Sequence, residues 1–155
     1  MQQTMTSCIP LRYNILWTSD QLRVVADAFF ADLKVSPSKV VLRHFSTTEV
    51  VVFDHSPRSS YNSTLFGLNA VRSYLDLLAT HWTCHDLRKH RMDVSLDARR
   101  VVATASVIWK WKKSGKSWQE DFTCTLDYDE AMKIKSFVIK TDSAPETCVM
   151  RAVDP

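Results

Sequence analysis

Helices gathered in the first half of the chain and strands in the second predict an α+β fold. Three observations carry that expectation. Residues 18–33, TSDQLRVVADAFFADL, set Leu22, Val25, Ala26, Phe29, Phe30 and Leu33 at helical spacing along one face. Residues 68–82, LNAVRSYLDLLATHW, repeat the pattern with Val71, Tyr74, Leu75, Leu78, Ala79 and Trp82, the clearest periodic signal in the chain. Beyond Asp86 the period shortens to two over four successive segments, and such segregation of helices from strands is the mark of the α+β class.

Each element has a local reason. The first helix is introduced by Thr18 and Gln21, which stand at capping-box spacing. SPSKVVLRHF opens a shorter helix, with Ser36 as cap and Pro37 at the first helical position, where a missing N–H costs nothing. TEVVVFDH is rich in β-branched residues and reads as a strand. SPRSSYNSTLFG is a polar loop closed by Gly67, and the third helix follows it. The strands are DLRKHRMDVSLD, RRVVATASVIWKWKK, SWQEDFTCTLD and AMKIKSFVIKT, the second and third joined by a turn in which Gly115 takes positive φ. Residues before about Trp17 and after Thr141 read as irregular arms of a single domain spanning 1–155, with its core at about 19–142.

Composition excludes several functions. A hydrophobic content of 45% and 24% charged residues describe a globular chain with one substantial core. Net charge is +3 and the basic residues are scattered, whereas nucleic-acid binding by counterion release needs them clustered. The longest apolar runs are too short for a membrane span, and the first ten residues lack the basic start and apolar stretch of a signal peptide. Cys8, Cys84, Cys124 and Cys148 show no paired spacing, which points to free thiols in a reducing, cytoplasmic setting. With only Gly67 and Gly115 available, glycine-dependent phosphate and dinucleotide loops are excluded. HWTCH, His81 to His85, crosses a helix end and matches no metal-ligand spacing, so no metal and no cofactor are expected.

The strand VVVFDHSP, the segment FGLNAVRSYL and the closing meander resemble the superfamily of SnoaL-like and nuclear transport factor two-like proteins. GLNAVRSYL is similar to the Gly-x-x-Ala-[Val/Ile] helix start of SnoaL-like chains. The resemblance runs from about Ser19 to Asp142 and implies a curved antiparallel sheet wrapped around the N-terminal helices as a cone-shaped barrel with an internal pocket. The superfamily includes polyketide cyclases, ketosteroid isomerase and scytalone dehydratase. The sequence departs from ketosteroid isomerase in offering Phe29 and Phe30, not tyrosine, on the first helix.

Within that frame, polar residues on apolar faces are the candidate site. Glu120 alternates with Trp118, Phe122, Cys124 and Leu126, so it is expected to point inward. As an isolated buried acid it would have a raised pKa and act as acid or base; the alternative is an ion pair with His90 or Arg88. His90 shares its alternation with Met92, Val94 and Leu96. Asp54 and His55 end the first strand, where one of them faces inward and the sequence does not choose. The catalytic set expected is Glu120, His90 and Asp54, with Trp109, Trp111, Trp82 and Tyr61 bordering the substrate.

The function expected from residues and resemblance together is a small, cofactor-independent enzyme of isomerase, cyclase or dehydratase type. It would do acid–base chemistry on an apolar cyclic or polyketide-like small molecule. The alternative is a non-enzymatic ligand-binding or protein-interaction module on the same fold. Val102 and Ile108 opposite the Trp109 face, and the apolar residues on both faces of SFVI, lead us to expect a homodimer through the outer sheet face, with neither nucleic acid nor membrane as partner.

Overall fold

A computed structural model describes residues 17–154. Cys8 and the first ten residues, where no signal peptide is expected, lie outside the described residues. Helix α1 spans Ser19–Val35. The Thr18 hydroxyl accepts the Gln21 N–H at 3.1 Å while the Gln21 side chain accepts the Thr18 N–H at 2.8 Å, so the expected capping box is formed. Leu22, Ala26, Phe29 and Phe30 are its buried face. Ser36 ends this helix instead of starting the next: its N–H closes on the Asp32 carbonyl at 2.8 Å and its hydroxyl donates to the Asp32 carboxylate. Pro37 then caps the one-turn α2, Ser38–Val41, which runs into a 3₁₀ turn at Leu42–His44.

Strand β1 is Val52–Pro57, and a two-residue β2, Leu65–Phe66, lies inside the segment expected to be loop. Gly67 follows with φ of 97°, a conformation open to glycine, and launches α3, Leu68–His81. Four strands complete the chain: β3 Trp82–Ser95, β4 Arg100–Trp111, β5 Ser117–Tyr128 and β6 Ile134–Thr141. β3 starts directly at the end of α3, earlier than the polar sequence from Asp86 indicates, because Trp82 and Cys84 pair with Trp111 and Trp109.

These strands form one open sheet in the order β2-β1-β6-β5-β4-β3. The meander β3 to β6 is antiparallel, while β1 joins β6 in parallel, which makes the sheet mixed. α1 and α3 pack against its inner face. Val101, Ala103, Ala105, Val107 and Trp109 of β4 are all buried there, as are Phe122, Cys124 and Leu126 of β5. At one end of this core Phe29, Phe45, Phe53, Phe137 and Tyr74 stack edge to face or tilted, with Phe53 and Tyr74 centred 4.5 Å apart. Each such buried aromatic contributes about 1.5–3 kcal/mol through the apolar surface it removes from water. The segment after Thr141, expected to be an irregular arm, forms two 3₁₀ turns at Pro145–Thr147 and Val149–Arg151, and it buries Cys148 and Val149.

Candidate active site

The alternation of β5 carries Glu120 to the inner face, where it is wholly buried. Four donors converge on its two oxygens. His55 Nε2 lies 2.8 Å from Oε2, and the Thr141 hydroxyl donates to the same atom at 2.7 Å. Trp109 Nε1–H donates to Oε1 at 2.9 Å, with the Val149 N–H on the same oxygen at 3.3 Å. Three strands and the C-terminal segment therefore meet on one carboxylate, which satisfies a buried charge in the way its desolvation demands.

Burial alone would raise the Glu120 carboxyl, but the hydrogen bond and charge of His55, aided by Thr141 and Trp109, hold it below the ordinary glutamate value. The raised pKa expected for an isolated buried acid is thus overturned, because the acid is not isolated. Burial disfavours a charged His55 as well, yet Cys148 and Glu120 beside it outweigh that loss and lift it from 6.5 to about 9. The pair is an imidazolium–carboxylate ion pair at neutral pH.

The Tyr74 oxygen lies 2.7 Å from His55 Nδ1. A doubly protonated imidazole has no acceptor, so Nδ1–H donates to the phenol oxygen and the phenol keeps its own O–H free. Burial raises the Tyr74 pKa well above its usual value, so that proton stays in place. Tyr74, His55 and Glu120 form a relay in which each member orients the next.

His55 and Tyr74 line a cavity of about 250 Å³, together with Leu75, Trp82, Cys84, Val107, Trp109, Phe122 and Ile139. Glu120 does not line it. The cavity opens at Lys34, Val35 and Pro37, between the end of α1 and the last turn of α3 at Ala79, where the lining residues are exposed. Its floor is made by His55, Tyr74, Val107, Phe122 and Ile139, all buried.

Cys148 Sγ lies within 4.8 Å of a ligand atom of both His55 and Glu120, and the three are the one trio of His, Cys, Asp and Glu side chains among the described residues close enough to share a metal ion. Burial would raise the Cys148 thiol, but the hydrogen bond and charge of His55, aided by Thr141, hold it below the ordinary cysteine value, while the two imidazole nitrogens also engage Tyr74 and Glu120. Cys148 is wholly buried and off the cavity wall. Cys84 is on the wall, but burial pushes its thiol up to about 11.

The structure thus divides the expected site residues. Glu120 points inward, and Trp109 and Trp82 border the cavity. His90 does not join them. A register shift between Lys89 and Arg91 inserts one residue into β3, which reverses the alternation and turns His90 outward onto the Ser106 hydroxyl at 2.9 Å. Lys89 takes the inward position instead, paired with Asp27 of α1. Asp54 faces away as well, because Phe53 and His55 supply the inner face of β1; its carboxylate pairs with Lys140 Nζ at 2.6 Å and accepts from Ser56. Trp111 stacks on Trp82 at 4.8 Å but does not line the cavity, and Tyr61 is 86% exposed in its loop.

Tyr74 is the cavity-lining member of this cluster that sequence reasoning passed over. Its signal was present: it is the hydroxyl-bearing member of the otherwise apolar stripe of α3. Thr141 continues the alternation of Phe137 and Ile139 at the end of β6, whereas Cys148 lies beyond the strands and had no periodic signal.

No family model matches the chain, and no curated protein matches it by sequence. Solved structures do resemble it. The epoxide hydrolase/cyclase-like enzyme SalBIII, of pyran ring formation in the polyether salinomycin, superposes with a TM-score of 0.67 at 12% identity, over 81% of this chain and 94% of that one. The BvnE pinacolase from Penicillium brevicompactum gives 0.67 at 17% identity, over 84% and 88%. An NTF2-like protein from Exiguobacterium sp. 255-15 gives 0.62 at 15% identity, over 77% and 99%. At such identities the likeness speaks for the fold. Helices on one face of the sheet, the meander from β3 to β6 and the parallel return of β1 against β6 give this chain the α+β fold that it shares with these proteins, the NTF2-like one among them.

Proposed function

We propose that this protein is a cofactor-independent enzyme of isomerase, cyclase or dehydratase type, an isomerase or lyase acting by proton transfer on an apolar cyclic small molecule. One observation carries the reading: a buried Tyr74–His55–Glu120 relay ends at the floor of an apolar cavity with a phenol O–H left to give. That is the composition of a small-molecule site with few but convergent polar groups. The enzyme names of SalBIII and the BvnE pinacolase favour a catalytic over a passive use of the fold, although they belong to those proteins.

The proton inventory sets the roles. Tyr74 donates its O–H proton to a substrate oxygen and takes the Nδ1 proton of His55, leaving a neutral imidazole with Nε2–H still on Glu120. The reverse path returns a proton lost by the substrate. Tyr74 and His55 are the catalytic residues, and Glu120 is a positioning residue, since it fixes the tautomer and charge of His55 without reaching the cavity. Trp82 and Trp109 shape the walls, and Trp109 additionally holds Glu120.

The test is incubation with a panel of small cyclic epoxides, β-hydroxy ketones and enones, with products separated by chiral chromatography and mass spectrometry. Turnover of at least one class is expected, falling about 100-fold or more in Tyr74→Phe and His55→Gln while tryptophan fluorescence still reports ligand binding. Saturable binding with no turnover across the panel would replace the enzyme by a ligand-binding module. Full activity in Tyr74→Phe would remove the phenol from the mechanism.

A further inference from the structure

The cavity has polar groups at its two ends, with the Cys84 thiol and the unpartnered Trp82 indole N–H among the wall residues between them. At the floor sits the relay of Tyr74 and His55; at the mouth the lining residues are Lys34, Val35, Ser36, Pro37 and Ser38. Between them the walls include Leu75, Leu78, Trp82 and Leu87. Lys34 is the charged residue of the mouth, and its charge is not spoken for. Among the described residues it forms no salt bridge with a carboxylate. Asp32, two positions earlier, has its carboxylate engaged by His44 Nε2 at 2.6 Å and by the Ser36 hydroxyl. A lysine in the last turn of α1 gains something from the helix dipole, but that does not require it to border a cavity.

We infer that Lys34 is a specificity-determining residue, and that the substrate is a compact apolar ring system carrying an oxygen at one end for Tyr74 and an anionic group, such as a carboxylate, at the other for Lys34. The size follows from volume. An apolar cavity of roughly 150 Å³ takes benzene. The 250 Å³ present here takes a molecule of about ten heavy atoms by the same proportion. The inference rests on the acid–base reading of this cavity and names the substrate class that it serves.

The probes are cyclohexylacetate, its isosteric neutral amide and the cationic 2-cyclohexylethylamine, titrated against the tryptophan fluorescence of the full chain near neutral pH and low salt. Trp82 and Trp109, two of the five tryptophans, stand in the wall and report on a ligand there. The carboxylate is expected to bind about two- to five-fold tighter than the amide, the range of a solvent-accessible ion pair, and the amine weakest. Lys34→Arg should keep the preference and Lys34→Met should lose it, with amide affinity unchanged as a check that the cavity is intact. About 0.5 M salt should erase the preference by screening. Equal binding of acid and amide by the wild type, or an undiminished preference in Lys34→Met, overturns the assignment while leaving the acid–base reading in place. Failure of all three probes to bind overturns the assignment and the ligand-binding cavity together.

Discussion

At Glu120 a carboxylate among core residues is explained by what surrounds it: an imidazolium, a hydroxyl, an indole N–H and a backbone N–H. The pH dependence of stability follows from the two shifts. The folded pKa of Glu120 is depressed, so its contribution is present above the unfolded value near 4.5 and is lost as pH falls through the folded value. The folded pKa of His55 is raised to about 9, so its contribution is full below 6.5 and is lost as pH rises toward 9. Both contributions coexist between 4.5 and 6.5. Glu120→Gln leaves a buried imidazolium without its counter-charge and should cost about 3 kcal/mol near pH 6. The penalty should shrink as pH falls from 4.5 toward the folded pKa of the acid, and again as pH rises from 6.5 toward 9. Urea unfolding of both proteins across that range checks it; a penalty that grows toward acid would mean that Glu120 is held as the neutral acid. Tyr74→Phe removes one partner of Nδ1–H and should cost about 1–3 kcal/mol, a loss the same titration measures.

Among the elements, sequence patterning succeeds where the alternation is regular and fails where one residue breaks it. β5 runs from Ser117 to Tyr128 in unbroken register with β4, and its two faces are those that the residues spell out. β3 has two register shifts, at His85/Arg88 and Lys89/Arg91, with Asp86 at φ of 53°. No glycine marks either bulge, so counting by twos from Met92 assigns His90 to the wrong face. In β1 the obstacle is different. Val51 and Phe53 compete with Val50 and Val52, and only the packing of Phe53 on Phe137 and Tyr74 decides that His55 goes inward with it and Asp54 outward. Tyr74 was hidden because an aromatic residue on a helical stripe is what any core would show. Helix starts, in contrast, are local and legible, and they can be tested as such. Thr18→Ala should cost about 1 kcal/mol through loss of the capping box. Gly67→Ala should cost about 1–3 kcal/mol, although an added Cβ would meet nothing within 4 Å, because the penalty is backbone conformation alone. Thermal unfolding monitored by far-UV circular dichroism separates both from the wild type.

For the molecule as a whole, the open question of architecture is the outer face of the sheet, since α1, α3 and the core occupy the inner one. No helix of the described residues is long and apolar enough to cross a membrane. Register aligns Val102 with Thr125 and Thr125 with Val138, so an aliphatic–threonine row crosses β4, β5 and β6 on the outer side, with Ile108 further along β4. These three aliphatic residues are only half-buried. An antiparallel sheet tolerates one wet face, but aliphatic side chains gathered at its centre are better covered, and a two-fold axis covers one patch with its own copy. The expected state is a homodimer through this face, with light scattering giving twice the chain mass at micromolar concentration. Val138→Lys combined with Ile108→Lys should place like charges across the axis and yield monomers with unchanged circular dichroism. Ligand binding in the cavity should survive in those monomers, because its mouth at Lys34 and Ala79 lies on the helical side. A monomer mass for the wild type would reject the dimer and make the row a solvated face held by its threonines.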